Sequence, residues 1–481
     1  MIMKKLFTRF KNMPETLKAT LVFAIASFAT SGINYITTPI FTRILSTEEY
    51  GLISVYNSWY DVIKVVAAMT LIFPGILNVG LYDHSDNRYK YLSSMLGITT
   101  VSTLALAVIY ALFFRSINAL IGLPALLMIL MLAMCLFAPA TTFWTFKQRY
   151  EFRYKITFFV AVGSALLAQL VSIAAVLLAK RYTDWNLAIV RLWAAGAVNL
   201  IVAAILFLHI LKQGGTVVDL PLWKRTFVIA IPLIPHYLGS VALTSTDRIM
   251  IERMEGLDKT GIYSLAAILS AIGVLLWRAL SVTFTPFINA KLGERDFKSI
   301  RENVKPLLVM VGFTCVLVSL AAPEIIRILA TEEYLQGVYV VPPIAAGIYI
   351  HAMYDNFTAI SFFHKNSIGI MIATLIAAVT NIILNYFCIR RFGFIAAGYT
   401  TLVSNLVLTG MHYFNARRIE KEKVFSPMFS LLSVVSVTAL CLAANLTYGL
   451  HWIRWILFAA VFILMVLFCP RLIRTISRMK A

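Results

Sequence analysis

The feature that most constrains this chain is a recurrence of apolar runs about 20 residues long, fourteen along 481 residues, separated by short charged segments. A helix rises about 1.5 Å per residue, so about 20 residues cross the roughly 30 Å of bilayer hydrocarbon. Backbone amides in lipid have no water to bond, which makes helices the structure such runs can form. The sequence therefore predicts an all-α integral membrane protein of about fourteen transmembrane helices. They lie near 18–38, 51–73, 91–114, 120–143, 156–179, 187–210, 226–246, 261–288, 306–322, 338–362, 367–389, 394–415, 427–448 and 452–470. The composition agrees: 13% of residues are charged, against about 25% in soluble domains. The basic leader precedes a full-length apolar run with no small-residue cleavage pattern, so the first run is expected to remain as a span.

An even number of spans puts both termini on one side, and Lys and Arg say which. With the termini inside, 28 of the 42 basic residues fall in cytoplasmic segments and 11 outside; Lys64, Arg191 and Arg278 lie within spans. That asymmetry predicts cytoplasmic termini, with Glu48–Tyr50 and Glu332–Tyr334 outside. The same distribution explains the net charge of +20 without nucleic acid, because the charges are split among short loops that face anionic lipid heads. The longest segment with linker character, 211–226, contains Gly214, Gly215 and Pro221. It divides an N-terminal lobe, 1–215 with spans one to six, from a C-terminal lobe, 216–420 with spans seven to twelve. Spans thirteen and fourteen and a basic cytoplasmic tail follow in 421–481.

Catalytic signals are sparse. Cys135, Cys315, Cys388, Cys441 and Cys469 sit in or beside apolar runs with no metal-ligand spacing, as packed thiols do. The chain has no GxSxG, no HExxH and no phosphate-cradling glycine loop. Asp83 and Asp86 are the loose candidates for an acidic glycosyltransferase loop, and a solvated loop explains them. No enzyme, resident cofactor or metal is expected.

Two hairpin turns echo each other. Pro39 and Arg43 precede Ile-Leu-Ser46-Thr-Glu-Glu49-Tyr50-Gly51, and Pro323 and Arg327 precede Ile-Leu-Ala-Thr331-Glu-Glu-Tyr334 at the same spacing. Helix capping explains the Thr-Glu-Glu triplets, and Ser46 with Glu49 has capping-box spacing. Capping does not require the Pro and Arg, which suggest related helical hairpins. A charge at the bilayer centre costs about 2.5–3.5 kcal/mol on insertion scales, so charged residues inside spans face a partner or an aqueous cavity. Asp61 and Lys64 can pair at i,i+3 or line a cavity, and the two are compatible. Arg278 has no acid three or four residues away. Arg191, beside Asn186 and Trp193, can snorkel to the interface or line a cavity. Asp355 with Asn356, and His236 after Pro232 and Pro235, are weaker candidates, and the prolines predict a bent helix.

At Asp247-Arg248-Ile-Met-Ile-Glu252 followed by Gly261-Ile-Tyr263-Ser-Leu-Ala, the sequence resembles the polysaccharide-biosynthesis flippases, the Wzx-type members of the MOP exporter superfamily. The resemblance extends over almost the whole chain through the Arg43 to Gly51 turn, Pro323 to Tyr334 with Pro342-Pro343, and Gly393-Phe-Ile-Ala-Ala-Gly398. It implies two six-helix lobes around a central cavity, with the last two helices outside. Drug-exporting relatives typically have twelve spans, so fourteen favours the lipid-linked sugar branch.

The implied activity is movement of an undecaprenyl-diphosphate-linked oligosaccharide, such as an O-antigen or another surface polysaccharide repeat unit, from the inner to the outer leaflet of a bacterial plasma membrane. Implied partners are that lipid-linked oligosaccharide, membrane lipids, and a polysaccharide polymerase with chain-length proteins. The substrate-site candidates are Lys64, Arg278, Asp61, Arg248, Asp247, Arg43, Asp355 and Arg191. Lys64 and Arg278 are expected to grip the diphosphate, and Asp61 or Asp355 to serve a coupling ion, H+ or Na+. The alternatives are a cation-coupled exporter of small organic cations, which would want buried acids, and a membrane glycosyltransferase or polymerase.

Overall fold

The structure is a computed structural model that describes residues 14–480; Lys4, Lys5, Arg9 and Lys11 of the basic leader lie outside the described residues. Among the described residues every secondary-structure element is a helix. The helices are α1 (Glu15–Ile44), α2 (Thr47–Ala67), α3 (Pro74–Asp83), α4 (Arg88–Ile121), α5 (Ala125–Tyr150), α6 (Tyr154–Tyr182), α7 (Leu187–Gly214) and α8 (Leu220–Glu255). They continue with α9 (Leu257–Ser270), α10 (Ile272–Gly293), α11 (Phe297–Leu329), α12 (Val341–Phe363), α13 (Ser367–Phe392), α14 (Ala396–Ile419), α15 (Pro427–Ala443) and α16 (His451–Lys480). Among the described residues, twelve candidate spans are long and apolar enough to cross a membrane. The two other expected spans correspond to α2 and α14, of 21 and 24 residues. At about 1.5 Å per residue both are long enough. Glu48, Glu49, Asp61 and Lys64 make α2 less apolar.

The sequence-read turns differ in the structure. Before α2 the capping box forms: the Glu49 N–H donates to Ser46 Oγ at 3.1 Å, and the Ser46 N–H donates to Glu49 Oε2 at 3.0 Å. Its echo does not form one. Thr331 makes no side-chain cap, and Glu332–Val340 winds as a 3-10 helix instead. Ser is absent from the position equivalent to Ser46, where Ala330 stands.

Two spans are interrupted. Met69 and Thr70 take left-handed backbone, φ 47° and 60°, and end α2 short of the expected 51–73 run. The chain restarts at Pro74, whose missing N–H costs nothing in a first helical turn. The expected 261–288 span is divided at Ala271 between α9 and α10. By contrast, α8 continues through Pro232 and Pro235 to Glu255.

The chain divides into two compact units, one of residues 1–45 and 56–238, the other of residues 46–55 and 239–481. In the first, α6 packs on α7 and α1, and α5 on α4 and α7. Its buried cluster includes Leu92, Met95, Phe143, Trp144 and Ile210. Trp223 donates its indole N–H to the Ser94 carbonyl at 3.1 Å and hydroxyl at 3.0 Å, which satisfies the ring's polar atom inside that unit.

In the second unit, α12 packs on α14, α11 and α15, and α16 lies along α11. Trp277, Phe284, Leu308, Tyr349 and Phe357 form its main cluster. The last helices are fastened by polar contacts: buried Arg454 pairs with Glu324, and the Tyr448 hydroxyl donates to the Ser319 carbonyl at 2.9 Å. The start of α2 crosses α9 at Gly51 and Gly261. A methyl on Gly51 would collide with the Leu257 carbonyl, and one on Gly261 with the Thr47 carbonyl. Tyr50 and Tyr334, the last residues of the echoed turns, meet edge-on beside this crossing at 6.0 Å. Such small-residue crossings let helices approach closely where no water drives them together.

Candidate functional site

The in-span charges of the first unit are held locally. On α2 the Lys64 ammonium donates to Asp61 Oδ1 at 2.5 Å and sits 5.5 Å from the Tyr60 ring centroid. Tyr60 stacks on Tyr56 at 6.4 Å, so one helix face carries two aromatic rings and a cation at four-residue steps. Both members of the pair keep partial exposure, 30% and 39%. The expected pairing is present, and the residual exposure leaves the ammonium reachable. Arg191 lies 3.7 Å over the ring of Phe41, which is fully buried. Its charge rests on an aromatic face. Arg43, exposed in the last turn of α1, donates to the Pro39 carbonyl at 3.2 Å, where it opposes the negative helix end.

In the second unit the charges are handled differently. Asp247 on α8 is 3% exposed and accepts three hydrogen bonds. They come from the Tyr263 hydroxyl at 2.6 Å, the Asn385 amide at 2.6 Å and the Thr401 hydroxyl at 2.7 Å. Asn385 also donates to Asn381 at 3.1 Å and accepts from Thr400. The Asn381 amide nitrogen is buried and has no hydrogen-bond partner among the described residues. Arg248 turns away from the carboxylate: it donates to the Thr244 carbonyl at 2.6 Å and approaches the Tyr263 ring at 6.0 Å. The carboxylate is thus surrounded by neutral donors and side-chain oxygens.

Arg278 on α10 is exposed, and among the described residues no hydrogen bond or ion pair reaches its guanidinium. Beside it, buried Trp277 donates its indole N–H to Asp355 Oδ2 on α12 at 2.6 Å. The in-span acid Asp355 is therefore bonded to a neutral donor. Asn356 is 1% exposed and donates to the Ala352 carbonyl at 2.7 Å. His236 on α8 contacts Tyr237, ring centroids 5.2 Å apart, and its Nδ1 has no hydrogen-bond partner among the described residues.

Of the residues singled out from sequence, the structure brings together Lys64 with Asp61. Asp355 is bonded to Trp277, the chain neighbour of Arg278. The residues not foreseen are Asn385 and Thr401, which with Tyr263 of the motif bond Asp247, and Asn381 and Thr400, which bond Asn385. A signal for them existed, since Asn381 and Asn385 lie one turn apart within an apolar run, where side-chain amides are costly without partners.

With this geometry in view, residues 16–289 match the polysaccharide biosynthesis protein family, more than half of the chain. The chain belongs to that family. The resemblance read at Asp247-Arg248 and Tyr263 is borne out. No curated protein sequence matches the chain. Among solved structures it is similar to the lipid II flippase MurJ in an inward closed conformation, with TM-score 0.65 at 17% identity over 94% of this chain and 100% of that one. It is also similar to an inward-facing multidrug resistance MATE family transporter of the MOP superfamily, with TM-score 0.56 at 12% identity, covering 85% and 98%. A MOP superfamily transporter from Pyrococcus furiosus, described by the reverse polarity of its binding pocket, gives TM-score 0.51 at 15% identity over 85% and 97%. The chain is thus a multi-pass membrane protein of the polysaccharide biosynthesis family with a MOP-superfamily transporter fold.

Proposed function

We propose that this protein flips a diphosphate-linked lipid oligosaccharide, a surface polysaccharide repeat unit on undecaprenyl diphosphate, from the inner to the outer leaflet of the bacterial plasma membrane. The observation that carries the reading is Arg278, a guanidinium within a span with no protein partner among the described residues, in a chain of the polysaccharide biosynthesis family. A cation in a low-dielectric setting attracts a diphosphate far more than it would in water. Lys64, tied to Asp61, is the weaker phosphate-contact candidate, proposed for the first unit by itself. The product then stands in the outer leaflet for a polymerase and its chain-length partners. Both termini are cytoplasmic in this reading, and a cysteine at Glu48 should react with an external impermeant thiol reagent. Reaction from the cytoplasmic side alone would reverse the orientation.

The coupling ion, a proton or Na+, is assigned in this proposal to Asp247. Beside the Asn385 amide N–H, its neighbours are the hydroxyl oxygens of Tyr263 and Thr401, hard donors that suit either ion. Asp247→Asn should abolish the dependence of export on the ion gradient while leaving the protein folded. Deleting the gene tests the main reading: lipid-linked glycan should accumulate in the inner leaflet. Unchanged glycan with new drug sensitivity would point instead to an exporter of small organic cations. That alternative wants free buried acids, whereas Asp61 and Asp355 are bonded to Lys64 and Trp277.

A further inference from the structure

The second unit carries a cationic surface that the transport reading does not use. Helix α16 has 30 residues, about 45 Å, which exceeds the roughly 30 Å of hydrocarbon by some ten residues. The excess falls after Pro470. There Arg471, Arg474 and Arg478 are exposed at i, i+3 and i+7, one helix stripe. The opposite stripe is fixed in place, because Leu472 is buried and Ile476 and Met479 pack on the core of the unit.

Helix α11 runs antiparallel beside it. Glu324 pairs with Arg454, and Phe313 meets Phe468 edge-on at 6.0 Å. Continuing that register toward the start of α11 carries Lys305 to the level of Arg474 and Arg301 to that of Arg478. Lys298, Arg301 and Lys305 repeat the same 3 + 4 spacing. Two basic stripes of the same spacing therefore stand at the same level on neighbouring helices. Arg301 donates to the Lys423 carbonyl, Lys305 lies 5.7 Å from the Phe429 ring centroid, and Arg471 lies 5.8 Å from that of Phe468. None of the six cations is in an ion pair among the described residues, although Glu302 is exposed between two of them. Below the stripe α16 exposes Ile463, Leu464, Val466 and Leu467, the lipid-facing surface of a span.

We propose that these two stripes form a binding site for anionic phospholipid headgroups at the membrane surface. Apolar side chains continue directly into arginines, so the charges stand at phosphate level, where a bilayer offers a row of anions. A guanidinium stripe takes phosphate oxygens in forked hydrogen bonds. Fixing the helix through Leu472, Ile476 and Met479 holds the arginines ready and lowers the ordering cost of binding.

The test uses the full chain purified in detergent, titrated with phosphatidylglycerol or phosphatidylcholine and followed by native mass spectrometry. Phosphatidylglycerol should bind preferentially, and its affinity should fall steeply between 50 and 500 mM salt. Each surface cation contributes about fivefold, so Lys305→Gln/Arg474→Gln/Arg478→Gln should bind on the order of 100-fold more weakly. Arg474→Lys/Arg478→Lys, folded and still cationic, should keep most of the affinity. Equal binding of the two lipids, salt-independent binding, or an unchanged affinity in the folded triple variant would overturn the proposal. So would inorganic phosphate competing as well as the lipid, which indicates a free-anion site, or polyglutamate binding more tightly, which indicates an acidic protein partner.

Discussion

Lys64 and Arg278 are both cations inside membrane spans, yet one is answered by its own helix and the other is not. Lys64 has Asp61 one turn away at 2.5 Å. Arg278 follows Trp277, whose indole N–H is bonded to Asp355 on α12. Asp247 is a third arrangement, a carboxylate buried among neutral donors. The contrast separates charges whose membrane cost is already offset from a charge left available. A cation that remains without a protein partner in lipid is costly and needs a reason to persist.

The largest expected effect follows directly. Arg278→Ala should lower glycan export about 100-fold at matched protein level, the scale of removing one desolvated charge contact, about 2–4 kcal/mol. Arg278→Lys should retain part of the activity, since the charge stays but the fork is lost. Lys64→Ala should cost less. Equal losses at the two positions would erase the distinction between them, and normal export by both would move the substrate site elsewhere.

Asp247 sharpens the comparison next. Asp247→Ala strands the Tyr263 hydroxyl, the Asn385 amide and the Thr401 hydroxyl together. Each buried donor left unsatisfied costs about 1–3 kcal/mol, reduced where donors re-pair, so about 2–3 kcal/mol overall is expected. Thermal unfolding in detergent should show a clear loss for Asp247→Ala and a smaller one for Asp247→Asn. If Asp247→Ala unfolds at the wild-type temperature, the network is not a structural element of the second unit.

These arrangements were unequally visible in the sequence. The helices were legible because apolar runs of span length leave the backbone no alternative, and the Ser46–Glu49 cap was legible because its members are three residues apart. Lys64–Asp61 was legible for the same reason of proximity. Asp247 is joined to residues 138 and 154 positions away, and Trp277 to one 78 positions away, and helix periodicity carries no information on those pairings. The interruption at Met69-Thr70 has neither glycine nor proline at the left-handed residues, so the usual punctuation was missing. Thr331 shared three following residues with Thr47 and still made no cap, because its preceding residue is Ala330 in place of a serine.

The pair on α2 gives a smaller effect, read as a cycle. Both side chains are partly exposed, which screens their interaction. The expected coupling is therefore about 0.5–1 kcal/mol. Asp61→Ala and Lys64→Ala should each lower stability, and the double variant should be less damaged than the sum of the two. Additive losses would mean that the two charges act independently and that the 2.5 Å contact does not offset the membrane cost of Lys64.

The smallest effect carries the tied-versus-untied contrast to the helix turns. Arg295 and Lys365 both follow a helix end in left-handed backbone, φ 55° and 56°. That conformation strains any side chain with a Cβ by about 1–2 kcal/mol, whereas glycine adopts it freely at an entropic cost of about 0.5–1 kcal/mol. Arg295 donates to Glu422 at 2.9 Å and to Glu420 at 3.4 Å, and those bonds hold its guanidinium above its usual range of basicity. Lys365 has no ion pair among the described residues. Lys365→Gly should therefore raise stability by about 0.5 kcal/mol, the relieved strain less the added entropy. Arg295→Gly should leave stability nearly unchanged, because the same relief is cancelled by the lost carboxylate bonds. Matched melting curves of the two variants decide it: a higher midpoint for Arg295→Gly than for Lys365→Gly would show that the Glu420 and Glu422 contacts contribute nothing to the fold.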